Sequence, residues 1–473
     1  MKHVLLLFTD QQRKDTIGAY GNSHVQTPHL DALAADSVVF ERCYTSSPVC
    51  APARFSLFSG QYCNRNGNNN NNSDHVYNGE GVYSEFTKAG YRSLCIGKMH
   101  HTADLYGRMG FERRITQEEL AHPDDDYTKF IRENYPTVFD YHGMRSEMYY
   151  VPQISPLPAK DHPTQWIGDH AVEYIREFDP EESLFLMASF IHPHPPFAPP
   201  APWQKLLRED PPAPYMPDEE AFDSFRGMIG KGTSCERLQI SPQDLLRQKN
   251  FYYACVSFVD YQVGRIISAL KEKGMYEDTL IVFTSDHGDM MGDFGAVGKR
   301  NMVDCVCNVP LIIHDPRREA GRRTDPCSLV DLAPTLMNYG GLDYDEAAFD
   351  GLDLFGNRIH SQVFSQYSCG ETGVYMVTNG RSKLVYQAHE EKYYYFDSLP
   401  ESRNTYSPEN EEAQRWRELL DAYRKADVNH VPGAVRSVIP KKRHLHYPGR
   451  VDQKWTLEEE AAQIPPEYSV DLG

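Results

Sequence analysis

The sequence predicts an α/β fold, a doubly wound and mostly parallel sheet flanked by helices, followed by a smaller C-terminal α+β subdomain. Three observations carry this. Short apolar runs that stop abruptly at polar residues alternate with helical patterns from residue 3 to residue 339. Beyond residue 351 the texture shifts to short alternating segments typical of antiparallel strands. The 473 residues are enough to bury one large core with a satellite.

The elements follow in order. Buried strands are expected at 3–9, 37–40, 91–96, 184–190, 279–284 and 309–314, each an apolar run of the kind a parallel sheet covers on both faces. Between them, apolar residues spaced by three and four predict helices at 28–35, 54–59, 84–89, 165–178, 248–273 and 329–339. In the second region, 373–377, 382–387 and 392–396 read as an antiparallel meander, and 410–425 as an amphipathic helix. The expected division is a core domain over 1–355, a subdomain over 356–430 and an extended tail over 431–473. The run Asn68 to Asn72 reads as a polar loop without special chemistry.

A formal net charge of -19 argues against nucleic acid and anionic membrane surfaces as partners. It also favours a small anionic substrate over a long polyanion, which such a protein would repel at a distance. No apolar run is long enough to span a bilayer, and the five-residue run Val4 to Phe8 is too short for a secretory leader, so the chain reads as cytoplasmic. Its ten cysteines are scattered without a small-scaffold spacing and are expected to be thiols.

In a doubly wound sheet, ligands bind beyond the carboxyl ends of the strands. The residues found there are Asp10-Gln11, Cys50-Ala51-Pro52-Ala53-Arg54, Lys98-Met99-His100, His192-Pro193-His194, Asp286-His287 and, a little further on, Lys299. Singly, each has a bland explanation: Asp10 and Asp286 as helix caps, Cys50 as a small buried hydrophobe, Lys98 and Lys299 as surface charge. Together they suit a hard cation with an anion bound beside it.

The segment Cys50-x-Pro52-x-Arg54 resembles the signature of the sulfatases of the alkaline phosphatase superfamily. Gly97-Lys98-Met99-His100, Pro193-His194-x-Pro-Phe197 and Ser285-Asp286-His287-Gly288 are similar to further blocks of that family in order and spacing, as is Lys299, twelve residues after His287. The resemblance implies that a maturation enzyme oxidises Cys50 to formylglycine, whose hydrate is the nucleophile. It implies one divalent cation held by Asp10, Gln11, Asp286 and His287 with residue 50 completing the shell. Lys98, Lys299 and His194 would hold the sulfate and protonate the leaving oxygen, His100 would remove a proton from residue 50, and Arg54 would steady the hydrate. Pro52 in a first helical turn would set residue 50 at a helix N-terminus, where the dipole favours an anion.

Two positions depart from the commonest family pattern: Gln11 stands where many members have Asp, and His287 where many have Asn. Ca²⁺ is expected on family grounds, with Mg²⁺ or Mn²⁺ admitted by the lost carboxylate and the gained nitrogen. The same departures occur in the phosphonate monoester hydrolases, which make phosphonate or phosphodiester hydrolysis the second reading, although Lys98-x-His100 is the sulfatase pattern. The expected substrate is a small sulfated sugar such as a glycosaminoglycan-derived oligosaccharide, with specificity set by the loops 65–77, 101–114 and 127–158. A third reading, a binding protein with an unmodified thiol, conflicts with the full set of lysines and histidines. The basic cluster at 441–450 is a solvated surface or a contact reaching across a homo-oligomer interface.

Overall fold

The computed structural model describes residues 3–71, 81–102, 104–144, 149–206, 211–230 and 233–429. The expected tail at 431–473, with its basic cluster, lies outside these. Nine strands form the main sheet: β1 (His3–Asp10), β2 (Val38–Tyr44), β3 (Arg92–Gly97), β4 (Arg113–Thr116), β5 (Leu184–Pro193), β6 (Thr279–Ser285), β7 (Asn308–His314), β8 (Gly321–Arg323) and β9 (Cys327–Ser328). Their order is β4-β3-β5-β1-β6-β7-β2-β8, with β9 beside β2.

Every pairing is parallel except the two made by β7, which runs against both β6 and β2. The expectation of a parallel strand at 309–314 is therefore corrected. Burial on both faces makes β7 as uniformly apolar as a parallel strand. Its direction is decided by the connection: the segment after β6 contains no crossover helix to return the chain, and the short helix Asp304–Cys307 leads directly into β7. Strands β1, β2, β3, β5 and β6 consequently all end at one edge.

Alternation along β1 sends Leu5 and Leu7 to one face and Val4, Leu6 and Phe8 to the other. The first face is covered by helices Pro28–Ala35, Pro163–Glu177 and Pro242–Glu272, through Leu30, Ile167, Val259 and their neighbours. The second is covered by Cys50–Ser59, Val82–Lys88 and Leu332–Gly340, through Leu57, Phe86 and Leu336. The longest helix starts at Pro242 because Ser241 accepts a hydrogen bond from Asp244 N and proline needs no donor there.

A second, antiparallel sheet contains β10 (Val363–Tyr367), β11 (Val374–Thr378), β12 (Lys383–Gln387) and β13 (Lys392–Phe396) in that order. Trp416, Leu420 and Tyr423 of helix Glu411–Lys425 pack on one of its faces. Met376, Val385 and Phe396 on the other join Met302 and Val306, next to the main sheet. Among the described residues no helix is long and apolar enough to cross a membrane.

Candidate metal and anion site

Strands β1 and β6 pair in register up to Thr9 and Ser285, so Asp10 and Asp286 arrive side by side. Their junction is locked: Asp286 N donates to Thr9 O at 3.3 Å, and Gln11 N donates to Asp286 Oδ1 at 2.9 Å. Gln11 adopts a left-handed backbone with φ of 65°.

Cys50 opens the helix Cys50–Ser59, four residues earlier than the expected start at Arg54, which puts it in the first turn with Pro52. No side chain of the N-cap residue Val49 satisfies the exposed amides. Asn71 does so instead, its Oδ1 accepting from Ala51 N at 3.0 Å, while Asn68 is fully buried and donates to His101 O at 2.9 Å. The asparagine run is therefore a support of the site rather than a featureless loop, a correction no composition argument could supply. Free amides at a first helical turn need an acceptor, and a short amide side chain provides one.

Gly97 ends β3 at φ +100°, and a Cβ there would lie 2.1 Å from Ser189 O of β5. Glycine thus lets β3 close on β5 and deliver Lys98. Lys98 Nζ lies 2.7 Å from Asp10 Oδ2 and 3.9 Å from Cys50 Sγ. Cys50 Sγ is also 3.7 Å from Asp10 Oδ1, 3.3 Å from His287 Nε2 and 2.9 Å from Lys299 Nζ. Arg54 is completely inside: Nε donates to Asp286 Oδ2 at 2.8 Å, Nη2 to Asp10 Oδ2 at 3.1 Å, and Nη1 to Lys98 O and Ser189 Oγ, both at 3.1 Å. His194 brings Nε2 to 4.0 Å from Asp10 Oδ1, and its Nδ1 lies 2.7 Å from Pro195 O. His100 sits at φ 45° and keeps a buried Nδ1 without a hydrogen-bond partner.

Two groups at the site are not singled out by sequence reasoning, although Tyr149 falls within the loop 127–158 expected to set specificity. Glu119, in the loop after β4, places Oε2 2.9 Å from Lys98 Nζ and Oε1 3.6 Å from His194 Nε2. Tyr149 brings its hydroxyl to 3.3 Å from the same imidazole nitrogen. Neither stands at the end of a predicted strand, so the strand-end rule passes over both.

Burial alone would favour neutral carboxyls, but Lys98, His194, Arg54 and Lys299 outweigh it and hold Asp10 well below the usual carboxylate range. Burial and Asp10 push the Cys50 thiol up, and Lys299, Lys98 and His287 more than reverse this, leaving it well below an ordinary thiol. Burial lowers His194 to about 3, against the opposing pull of Glu119.

The donor set fits a divalent cation. Asp10, Cys50, Asp286 and His287 are all buried and offer ligand atoms within 4.8 Å of one another. Gln11 keeps its Oε1 buried without a protein partner while its Nε2 bonds Asp289. Apart from the Cys50 sulfur, the donors are oxygens with one imidazole, which suit a hard or borderline ion.

The Sulfatase family profile matches residues 2–342. An arylsulfatase of Clostridium perfringens is 30% identical over 461 residues, covering 91% of this chain and 94% of the relative. An iduronate 2-sulfatase of Mus musculus is 28% identical over 72% of this chain and 69% of its own. Among solved structures, the phosphonate monoester hydrolase of Agrobacterium radiobacter superposes with a TM-score of 0.76 at 23% identity, over 90% of this chain and 96% of the other, a likeness of fold.

Proposed function

The chain belongs to the sulfatase family and is a sulfuric ester hydrolase; from that premise we propose that it cleaves the sulfate ester of a small carbohydrate, with residue 50 as nucleophile after Cys50 is oxidised to formylglycine. The observation that carries this reading is the meeting of Cys50 Sγ with Asp10, His287, Lys98 and Lys299 at one helix N-terminus. The sugar assignment is supported by the likeness to a relative named for iduronate, a sugar acid, and by a net charge that disfavours long polyanions.

Asp10, Gln11, Asp286 and His287 would hold the cation, with Ca²⁺ our first choice and Mg²⁺ or Mn²⁺ compatible with the imidazole. When bound, it draws charge from the sulfuryl oxygens and lowers the pKa of a hydroxyl on residue 50. Lys98 and Lys299 bind sulfate oxygens, since both ammonium groups already face residue 50. His194 works at Nε2, because its Nδ1–H is committed to Pro195 O, and a bound anion favours the protonated ring that passes its proton to the leaving oxygen. His100, with an unpartnered ring nitrogen, accepts the proton from residue 50 that allows sulfate to depart. Arg54 steadies the hydrate of residue 50 and orients Asp10 and Asp286, with which it pairs.

The test is protein co-expressed with a formylglycine-generating enzyme, assayed on sulfated sugars and aryl sulfates. Intact mass should fall by about 18 Da, for loss of two hydrogens and exchange of sulfur for oxygen. Turnover no greater than that of Cys50→Ala would overturn the reading. The Gln11 and His287 pair favours a second reading, phosphonate or phosphodiester hydrolysis on the same machinery. Catalytic efficiency on matched sulfate and phosphonate esters separates the two.

A further inference from the structure

We propose that Glu119 sets the charge selectivity of the anion pocket, penalising a doubly charged oxyanion relative to a singly charged one. The inference rests on the proposed sulfate-binding role of Lys98. Each other carboxylate bonded to the central lysine or arginine has a task in that reading: Asp10 and Asp286 belong to the cluster that can hold a metal. Glu119 does not, yet it lies 2.9 Å from Lys98 Nζ, only a little further than Asp10 at 2.7 Å.

The turn that carries Lys98 is fixed by the adjacent Glu118, which accepts from Met99 N at 2.8 Å and pairs with Arg114. Glu119 remains partly exposed, with its other oxygen towards His194 Nε2, so it borders the groups that would meet the sulfate and the leaving oxygen.

A negative charge beside an anion-binding ammonium subtracts from its pull, and the subtraction is proportional to the charge on the anion. Arg54, Lys98, Lys299 and a divalent cation would together hold a dianion better than a monoanion. A sulfate monoester carries a single charge, whereas a phosphate monoester approaches two because its second pKa is about 6. Glu119 tilts the site back towards the former. With its side chain 18% exposed, Glu119 acts through a site that solvent screens only in part.

The experiment is calorimetric titration of the metal-loaded protein with benzenesulfonate, a monoanion, and phenylphosphonate, a dianion in mildly alkaline buffer. Neither contains an ester to hydrolyse. In Glu119→Gln the ratio of phenylphosphonate to benzenesulfonate affinity should rise about tenfold over wild type, the scale of one unit charge acting through a partly screened site. Glu119→Asp, which keeps the charge, should retain the wild-type ratio. Both affinities come from one sample, so partial misfolding cancels; if the amide variant does not fold, Glu119→Ser is read the same way. An unchanged ratio in the neutral variants, or an equal rise in Glu119→Asp, overturns the inference and leaves the sulfatase reading standing. Failure of the wild type to bind either anion removes the anion pocket itself, and the inference with it.

Discussion

Arg54 makes four hydrogen bonds inside the protein, to Asp286, Asp10, Lys98 O and Ser189 Oγ, with its guanidinium 4.7 Å from the Phe8 ring centre. It therefore acts on the two aspartates. A lysine at this place keeps the charge and loses the planar fork that holds both carboxylates at once. Arg54→Lys should weaken divalent-cation binding by about 10–100-fold, the usual cost of removing a ligand's supporting partner. Calorimetric titration checks this, and an unchanged affinity would mean that Asp10 and Asp286 keep their places unaided. Asn71→Ala removes the acceptor for Ala51 N and should lower stability by about 0.5–2 kcal/mol, the range for loss of a helix cap, read from a denaturant midpoint. At this scale the sequence revealed the groups that follow strands directly and hid those that reach the site from loops. Glu119 sits beside another glutamate and looks like solvated charge, and Asn71 is one of five asparagines.

Elements were legible where burial leaves a long mark. β1, β5 and β6 are continuous apolar runs, and their ends defined the site. β8 is three residues with two arginines and β4 carries two arginines in four, so neither stands out from a loop, and β10 begins too soon after a polar stretch to register. The close approach of β3 to β5 makes a sharp prediction. Gly97→Ala combines a left-handed backbone with a 2.1 Å clash against Ser189 O, and should cost more than about 2 kcal/mol while displacing Lys98. Equilibrium unfolding measures the first effect, and a normal midpoint would refute it. Helix Pro28–Ala35 supplies a pH test, because Asp260 of the long helix caps it, accepting from Leu30 N at 2.7 Å and His29 N at 3.2 Å. Burial raises this carboxyl to about 7. The folded state thus binds a proton that the unfolded chain, with an ordinary value of about 3.9, has released, and stability falls as pH rises between those values. Asp260→Asn should flatten that part of the Tm against pH curve; an equally steep curve would show that the carboxyl is not raised.

At the scale of the molecule, the proposed ligands come from the end of β1, the start of helix Cys50–Ser59 and the end of β6, so a cation bound by them ties together segments far apart in sequence. The donor chemistry points to a divalent ion without naming it, because oxygen donors joined by the His287 imidazole are compatible with more than one. Binding to the folded state alone stabilises it by RT ln(1 + [L]/Kd), about 2.7 kcal/mol at one hundred times Kd. The protein should nevertheless stay folded without metal. Lys98 and Arg54 already pair with Asp10, Arg54 pairs with Asp286, and Lys299 lies beside residue 50, so these cations offset the buried carboxylates when no ion is present. A chelator should therefore lower Tm by several degrees without abolishing the cooperative transition, and titrating Ca²⁺, Mg²⁺ and Mn²⁺ back should restore it in the order of their affinities. Asp10→Asn should erase the difference between the metal-free and metal-loaded curves. A Tm indifferent to chelator and to all three ions would mean that these residues form a self-sufficient ion-pair network, in which the lysines answer to the aspartates alone.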